Sequence, residues 1–217
     1  MEISTLLSRI DWNDLHGAYN ICEEIADRLV AEDGALLKVF LRNLVEQEAL
    51  RSQCERFNLF TKLVLLKAPN GAKVRLHLFE TEVKEFHNHR APFYSRLLSG
   101  EYVHKLYGNI ESSADGEIKK MELPPVFMHK YTKNSAYILP SSFIHSTEAT
   151  VFPSVSLMIQ GPADREYLQI YNCDTGEVRT RYGWAVTSEI QEGGEMRVGD
   201  MIEDITEKIE VALGWRA

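Results

Sequence analysis

Cysteine is scarce in this chain. Cys22, Cys54 and Cys173 lie far apart and form no CxxC pair. Such a set excludes a disulfide framework and fits a reducing compartment, so a cytoplasmic location is expected. No run of about 18 apolar residues occurs, so the sequence offers no membrane-spanning helix. Positive charge is also the minority: Lys+Arg is 24 against Asp+Glu 32, a net charge of -8. A chain with that balance suits neither a phosphate backbone nor an anionic lipid surface, and neither nucleic acid nor membrane is expected as a partner. The opening stretch MEISTLLSRIDWNDL has no basic region followed by an apolar one, so no secretory leader is expected. Internal repeats and low-complexity segments are missing too.

What is present is a globular composition. The 217 residues are 44% hydrophobic and 26% charged, enough for the core of one domain or of one domain with an appendage. Three zones follow one another. Residues 1–57 are poor in glycine and proline, and Leu36, Leu37, Phe40, Leu44 and Val45 recur at helical spacing. Two or three helices are expected there, packed on the remainder, with Asp11 and Asp14 as N-cap candidates.

Residues 58–185 read as β structure. The apolar run Leu59–Leu66, the turn Pro69-Asn70-Gly71 and the alternating Lys73–Phe79 form a hairpin signal. Further short strands are expected around 84–89, 93–98, 101–107, 126–131, 135–139, 143–148, 154–160 and 166–171, with a last hairpin turning at Asp174-Thr175-Gly176. Many short strands between Gly and Pro turns imply a barrel or sandwich. Residues 186–217 are acidic, and Met201, Ile202, Ile205, Ile209 and Leu213 fit a C-terminal amphipathic helix that docks on the domain or on another subunit.

Histidine carries the chemistry. Phe86-His87-Asn88-His89 places two imidazoles on one face of a strand, because side chains alternate with period two. Their Cα atoms then stand about 7 Å apart and the rings can converge on one ion. The third candidate ligand is His145, in Pro140-Ser141-Ser142-Phe143-Ile144-His145. Three neutral imidazoles with open positions suit Fe(II), Zn, Ni or Cu, and ligand type alone does not choose among them. Glu80, Glu82 and Glu85 precede the pair and are candidates for an acidic ligand, while His77, His104 and His129 are spare histidines. Glu148 is a candidate second-layer partner that orients His145. Tyr94 could act at the site as an acid or hydrogen-bond donor, and Phe93 and Met158 could form an apolar wall. Arg42, Arg51, Arg75 and Arg90 are candidate clamps for a substrate carboxylate, with Arg42 first among them.

These motifs resemble the cupin superfamily over roughly residues 58–171. The first cupin motif sets HxH before a Glu and a Gly, and His87, His89 and Gly100 match it in order and distance. The second has Pro-x-Gly-x-x-His, and Pro140, Ser142 and His145 occupy those positions, with Ser142 in place of the glycine. Thr81 stands where the first motif opens with glycine, and Phe93 or Tyr94 stands where it has the acidic ligand. The resemblance therefore implies a mainly β, cupin-type barrel (a double-stranded β-helix) with N-terminal helices, a C-terminal helix and a metal held by three histidines.

A three-histidine cupin with helices in front is similar to the cysteine dioxygenase (thiol dioxygenase) family. Leu41-Arg42-Asn43-Leu44-Val45 resembles the family segment that bears the carboxylate-binding arginine. Phe57-Asn58-Leu59, Leu97-Leu98-Ser99-Gly100, His145-Ser146-Thr147-Glu148 and Ser154–Ile159 resemble other family strings. The family's Ser-x-His-x-Tyr reads Ser156, Met158 and Gln160 here, so only the serine is kept. The resemblance implies a mononuclear Fe(II) dioxygenase acting with O2 on a small polar molecule, a thiol foremost, with an altered substrate or outcome. The rival expectation is a non-oxidative Zn or Ni enzyme, or a metal-dependent binding or sensor module. Pairing into a homodimer is also expected, since a barrel of this kind has sheet edges to protect.

Overall fold

A computed structural model describes residues 2–56, 60–81, 85–109, 124–172, 175, 177–182, 196–198 and 201–216. The elements run α1 (Ile3–Ser8), α2 (Leu15–Glu46), α3 (Glu48–Arg51), β1 (Glu55–Arg56), β2 (Phe60–Lys67), β3 (Lys73–Phe79), β4 (Glu85–His87), β5 (Phe93–Asn109), β6 (Phe127–Tyr131), β7 (Ala136–Leu139), β8 (Phe143–Gln160), β9 (Tyr167–Asn172), β10 (Val178–Tyr182), β11 (Met196–Arg197) and α4 (Ile202–Ala212). The chain is mainly β with helices at both ends, and its antiparallel sheet curls into a half-barrel. The family-like string Phe57-Asn58-Leu59, with the first residue of the expected strand Leu59–Leu66, and most of the expected turn at 174–176 lie outside the described residues.

Local chemistry explains the first elements. The Asp14 carboxylate accepts a hydrogen bond from the Gly17 amide at 3.1 Å and caps α2. Helical geometry lapses inside α2 at Ala31–Gly34, so the element is two helical stretches joined by a left-handed turn. In the β2–β3 hairpin, Asn70 Oδ1 accepts from the Ala72 amide at 3.1 Å, and Gly71 takes a φ of 90°.

Two of the expected strand pairs are in fact single long strands. Residues 93–98 and 101–107 join in β5, and 143–148 and 154–160 join in β8. The register between them shifts around Ser99 and Glu101, so the strands bend without ending. Gly100 sits at the bend with a φ of 84°, and a Cβ there would collide with Ser154. Its place in the sequence is therefore set by close backbone approach as well as by φ.

The sheet has two faces with different company. On the outer face, Leu63, Leu65, Val74, Leu76, Leu78, Val155, Leu157 and Ile159 meet Leu29, Leu37, Leu41 and Leu44 of α2 and Ile202, Ile205 and Ile209 of α4. Each fully buried aliphatic side chain contributes about 1.5–3 kcal/mol. Exposed ion pairs such as Arg28–Glu24 are worth about 0–1 kcal/mol, so the apolar stripe holds the helices. The last zone folds back on the first: β11 pairs with β1, and α4 joins the shared core. No helix among the described residues is long and apolar enough to cross a membrane.

The bend at Gly100 is open to test. Gly100→Ala is expected to lower stability by about 1–3 kcal/mol. Gly71→Ala has the same φ penalty with no neighbour within 4 Å, and should cost less. Urea midpoints of the two variants compare them directly; equal losses would remove the close-approach explanation.

Candidate metal centre

The inner face of the half-barrel holds His87, His89 and His145. In the β4–β8 ladder, His87 is the direct partner of His145. His89 lies two residues past the end of β4, where its amide donates to the Ser141 carbonyl at 3.0 Å. Asn88 turns the other way and exchanges bonds with Gln169: its Oδ1 accepts from the Gln169 amide at 2.8 Å, and its own amide donates to the Gln169 carbonyl at 3.2 Å. In the sequence the only signal for this anchor is the place of Asn88 between the two histidines, on the opposite side of the strand.

The three rings form a near-equilateral triangle with centroid separations of 4.8, 4.8 and 4.9 Å. One ring nitrogen from each lies within 4.8 Å of the others. His89 Nε2 and His145 Nε2 approach to 2.7 Å. Two imidazole ligands of one ion stand roughly 3 Å apart, so this pair is spaced for a shared cation. No carboxylate joins the group among the described residues. Glu80 pairs with Arg56 and Lys208, and Glu82 lies outside the described residues. The donor set fits a divalent metal: three imidazoles, no acid, and a face left open.

Burial keeps these rings neutral. Desolvation lowers His87 from 6.5 to about 4 and holds His89 and His145 well below the ordinary histidine range, with neighbouring His and Arg charges adding to it. A neutral imidazole is the form that binds metal.

A fourth histidine supports the third. His104 Nε2 lies 2.8 Å from His145 Nδ1, and His104 is 1% exposed. If Nε2 of His145 faces the metal, its Nδ1–H donates to His104, and the ring orientation is set. Tyr137 stacks on His104 at 4.2 Å. His104 takes the orienting place that the sequence suggested for Glu148. Glu148 is three residues from His145 along a strand, an odd step that turns it to the opposite face. There it accepts from Lys105 at 2.6 Å.

The other candidates sort by the same alternation. Phe93 faces inward, its ring 4.2 Å from His89 and 5.6 Å from His145, and packs with Met158 and Leu139. Tyr94, the next residue, faces outward against α2, where its hydroxyl donates to Glu23. Tyr94 thus belongs to the helix–sheet seam and not to the triad, and burial with that carboxylate pushes its phenol further up. Ser156 is buried on the inner face opposite His77, one step beyond Met158, and makes no hydrogen bond to the triad among the described residues.

Arg42 sits exposed on α2 with Nε donated to the Lys38 carbonyl at 3.3 Å, away from the triad. Arg51 bonds to the Val45 carbonyl, and Arg90 to the Glu166 carbonyl at 2.8 Å. Arg75 is the arginine of the four that β3 turns to the inner face, opposite Met158. The local string around Arg42 could not reveal this, since the helix carrying it packs on the outside of the sheet.

No protein-family model and no curated protein matches the chain. Solved structures similar to it include proteins described as cupins. A cupin superfamily protein from Desulfitobacterium hafniense is 15% identical, covers 49% of this chain and 81% of its own, and has a TM-score of 0.36. An RmlC-like cupin from Shewanella frigidimarina is 14% identical over 52% of this chain and 86% of its own, with a TM-score of 0.38. A hydroquinone 1,2-dioxygenase in complex with Cd2+ and 4-hydroxybenzonitrile is 17% identical over 46% and 63%, with a TM-score of 0.36. Likeness of this degree carries no activity over to the chain.

Two outcomes follow from the site. Five of the seven histidines, His77, His87, His89, His104 and His145, have lowered values in the folded chain. The unfolded chain takes up protons near 6.5 and the folded chain only lower, so stability is full above that pH and falls as pH drops toward about 4. Urea midpoints of the metal-free protein across that interval should decline steadily; a flat profile would contradict the buried neutral state. Separately, His104→Ala should weaken metal affinity by about 10–100-fold, read by competition with a chromogenic chelator. Unchanged affinity would remove its orienting role.

Proposed function

We propose that the chain is a mononuclear non-heme iron enzyme that oxidises a small polar molecule, a thiol foremost, with O2. The observation that carries the reading is the triangle of three neutral imidazoles without a carboxylate. Ferrous iron on three neutral ligands keeps its 2+ charge and open positions, which suits a soft, oxidisable thiolate together with O2.

The chain's own residues have separate parts in this scheme. His87, His89 and His145 hold the ion, and His104 fixes the His145 ring. Phe93 and Met158 give the inner face an apolar wall beside the open side of the triad, which keeps water away from the bound reactants. No tyrosine or histidine follows Ser156 on β8, where Met158 and Gln160 stand instead. The reaction therefore proceeds without the acid–base pair that those positions hold in thiol dioxygenases, and a different substrate or product is the consequence we favour.

The test is metal content per chain by mass spectrometry, on protein made in iron-supplemented medium, beside His87→Ala. About one iron per chain is expected, lost in the variant, followed by thiol-dependent oxygen uptake in a panel of small thiols. Zinc or nickel that resists exchange for ferrous iron would replace this reading with a non-oxidative enzyme or a binding module. Absence of metal in both proteins would overturn it.

A further inference from the structure

His87 and His145 are placed by a strand ladder, and His145 is tied again to His104. His89 has neither support. β4 ends at His87, so another device must turn the chain there and aim the His89 ring at the other two.

The bonds around Asn88 supply the turn. β4 pairs with β9 as Glu85–Asn172, Phe86–Tyr171 and His87–Ile170, and one further step would pair Asn88 with Gln169. That step is half made. The Asn88 amide donates to the Gln169 carbonyl at 3.2 Å, as in a hydrogen-bonded antiparallel pair. The return bond from the Gln169 amide goes to Oδ1 of Asn88 at 2.8 Å, where a regular ladder uses the main-chain carbonyl. A carboxamide in that place satisfies the β9 amide and releases its own main chain from the ladder. Asn88 is 2% exposed and Gln169 3%, so water is kept from taking over the bond.

The released chain is caught on its far side. The His89 amide donates to the Ser141 carbonyl at 3.0 Å, and the Arg90 carbonyl accepts from the Asp164 and Arg165 amides at 2.9 and 3.1 Å. The Ser141 hydroxyl donates to the Asp164 carboxylate at 2.9 Å. Asp164 therefore grips Arg90 with its amide and Ser141 with its side chain, one on each side of the His89 amide bond.

We propose that Asn88 is a positioning residue for the metal centre, acting through His89, with Asp164 holding the same ligand from the other side. His87 and His145 are set by the sheet alone, so loss of this clamp affects one ligand of the three. The proposal rests on reading the three histidines as a metal site, and not on iron, O2 or a thiol.

The test titrates cobalt(II) into wild type, Asn88→Ala, His89→Ala and the double variant. Chelator competition gives the affinity, and the ligand-field absorption band at saturation gives the donor set. Asn88→Ala should weaken binding by about 10–100-fold and move the band away from that of wild type. Added to His89→Ala, it should weaken binding no further, because the ligand it positions is gone. An unchanged affinity or band in Asn88→Ala, or the same loss with and without His89, would reduce Asn88 to a structural role and overturn the proposal. If His89→Ala takes up no cobalt, the band of Asn88→Ala decides alone. Should Asn88→Ala fail to fold, Asp164→Ala replaces it in the same cycle, since the Asp164 side chain is exposed. A loss of about 2–10-fold is then expected, again only where His89 is present. Failure of wild type to bind cobalt would overturn the metal reading and this role together, whereas normal binding with insensitive variants would overturn this role alone.

Discussion

The antiparallel ladder that sets His145 of β8 directly opposite His87 of β4 is the constraint on which the inner face depends. β8 runs as one bent strand from Phe143 to Gln160, and it borders β4 over its first part and β3 over its last. One strand therefore carries a triad ligand at one end and the backing of Arg75 at the other. A one-residue slip in either ladder would send the corresponding side chains to the helix side, because the period is two. The bend that lets β8 and β5 stay paired along their length passes through Gly100, packed against Ser154.

Desolvation gives the two ends of the inner face their chemistry. At the triad it favours neutral imidazoles, which are donors for a metal. At Lys73 and Arg75 burial also works against charge, lowering them to about 8 and about 10.

The helices serve this arrangement from outside. Their apolar stripe covers the outer face, and polar contacts at the seam, Tyr94 to Glu23 and Arg96 to Asp27 at 2.6 Å, lock α2 to β5. Residues of β5 consequently have two duties in alternation: Phe93, Ser95 and Leu97 face inward while Tyr94, Arg96 and Leu98 face the helices. The buried thiols of Cys22 and Cys54 lie in the same outer core, where burial pushes both up and makes them poor nucleophiles.

Much of this was legible in the residues alone. Period-two runs and Gly/Pro turns gave the mainly β architecture, helical spacing gave the flanking helices, and HxH followed by a distant His gave the three rings that converge. Such signals are local, or depend on spacing along one strand. The joining of short strands into β5 and β8 was not legible, because a glycine that bends a strand looks like one that ends it. Nor did the sequence show that Glu148 and Tyr94 face away from the triad while His104 and Phe93 face it. Which side chain faces the triad depends on strand register, on the face each residue takes, and on which side of the sheet the helices cover. Those are decided by apolar burial across the whole chain, and only the tertiary structure expresses them.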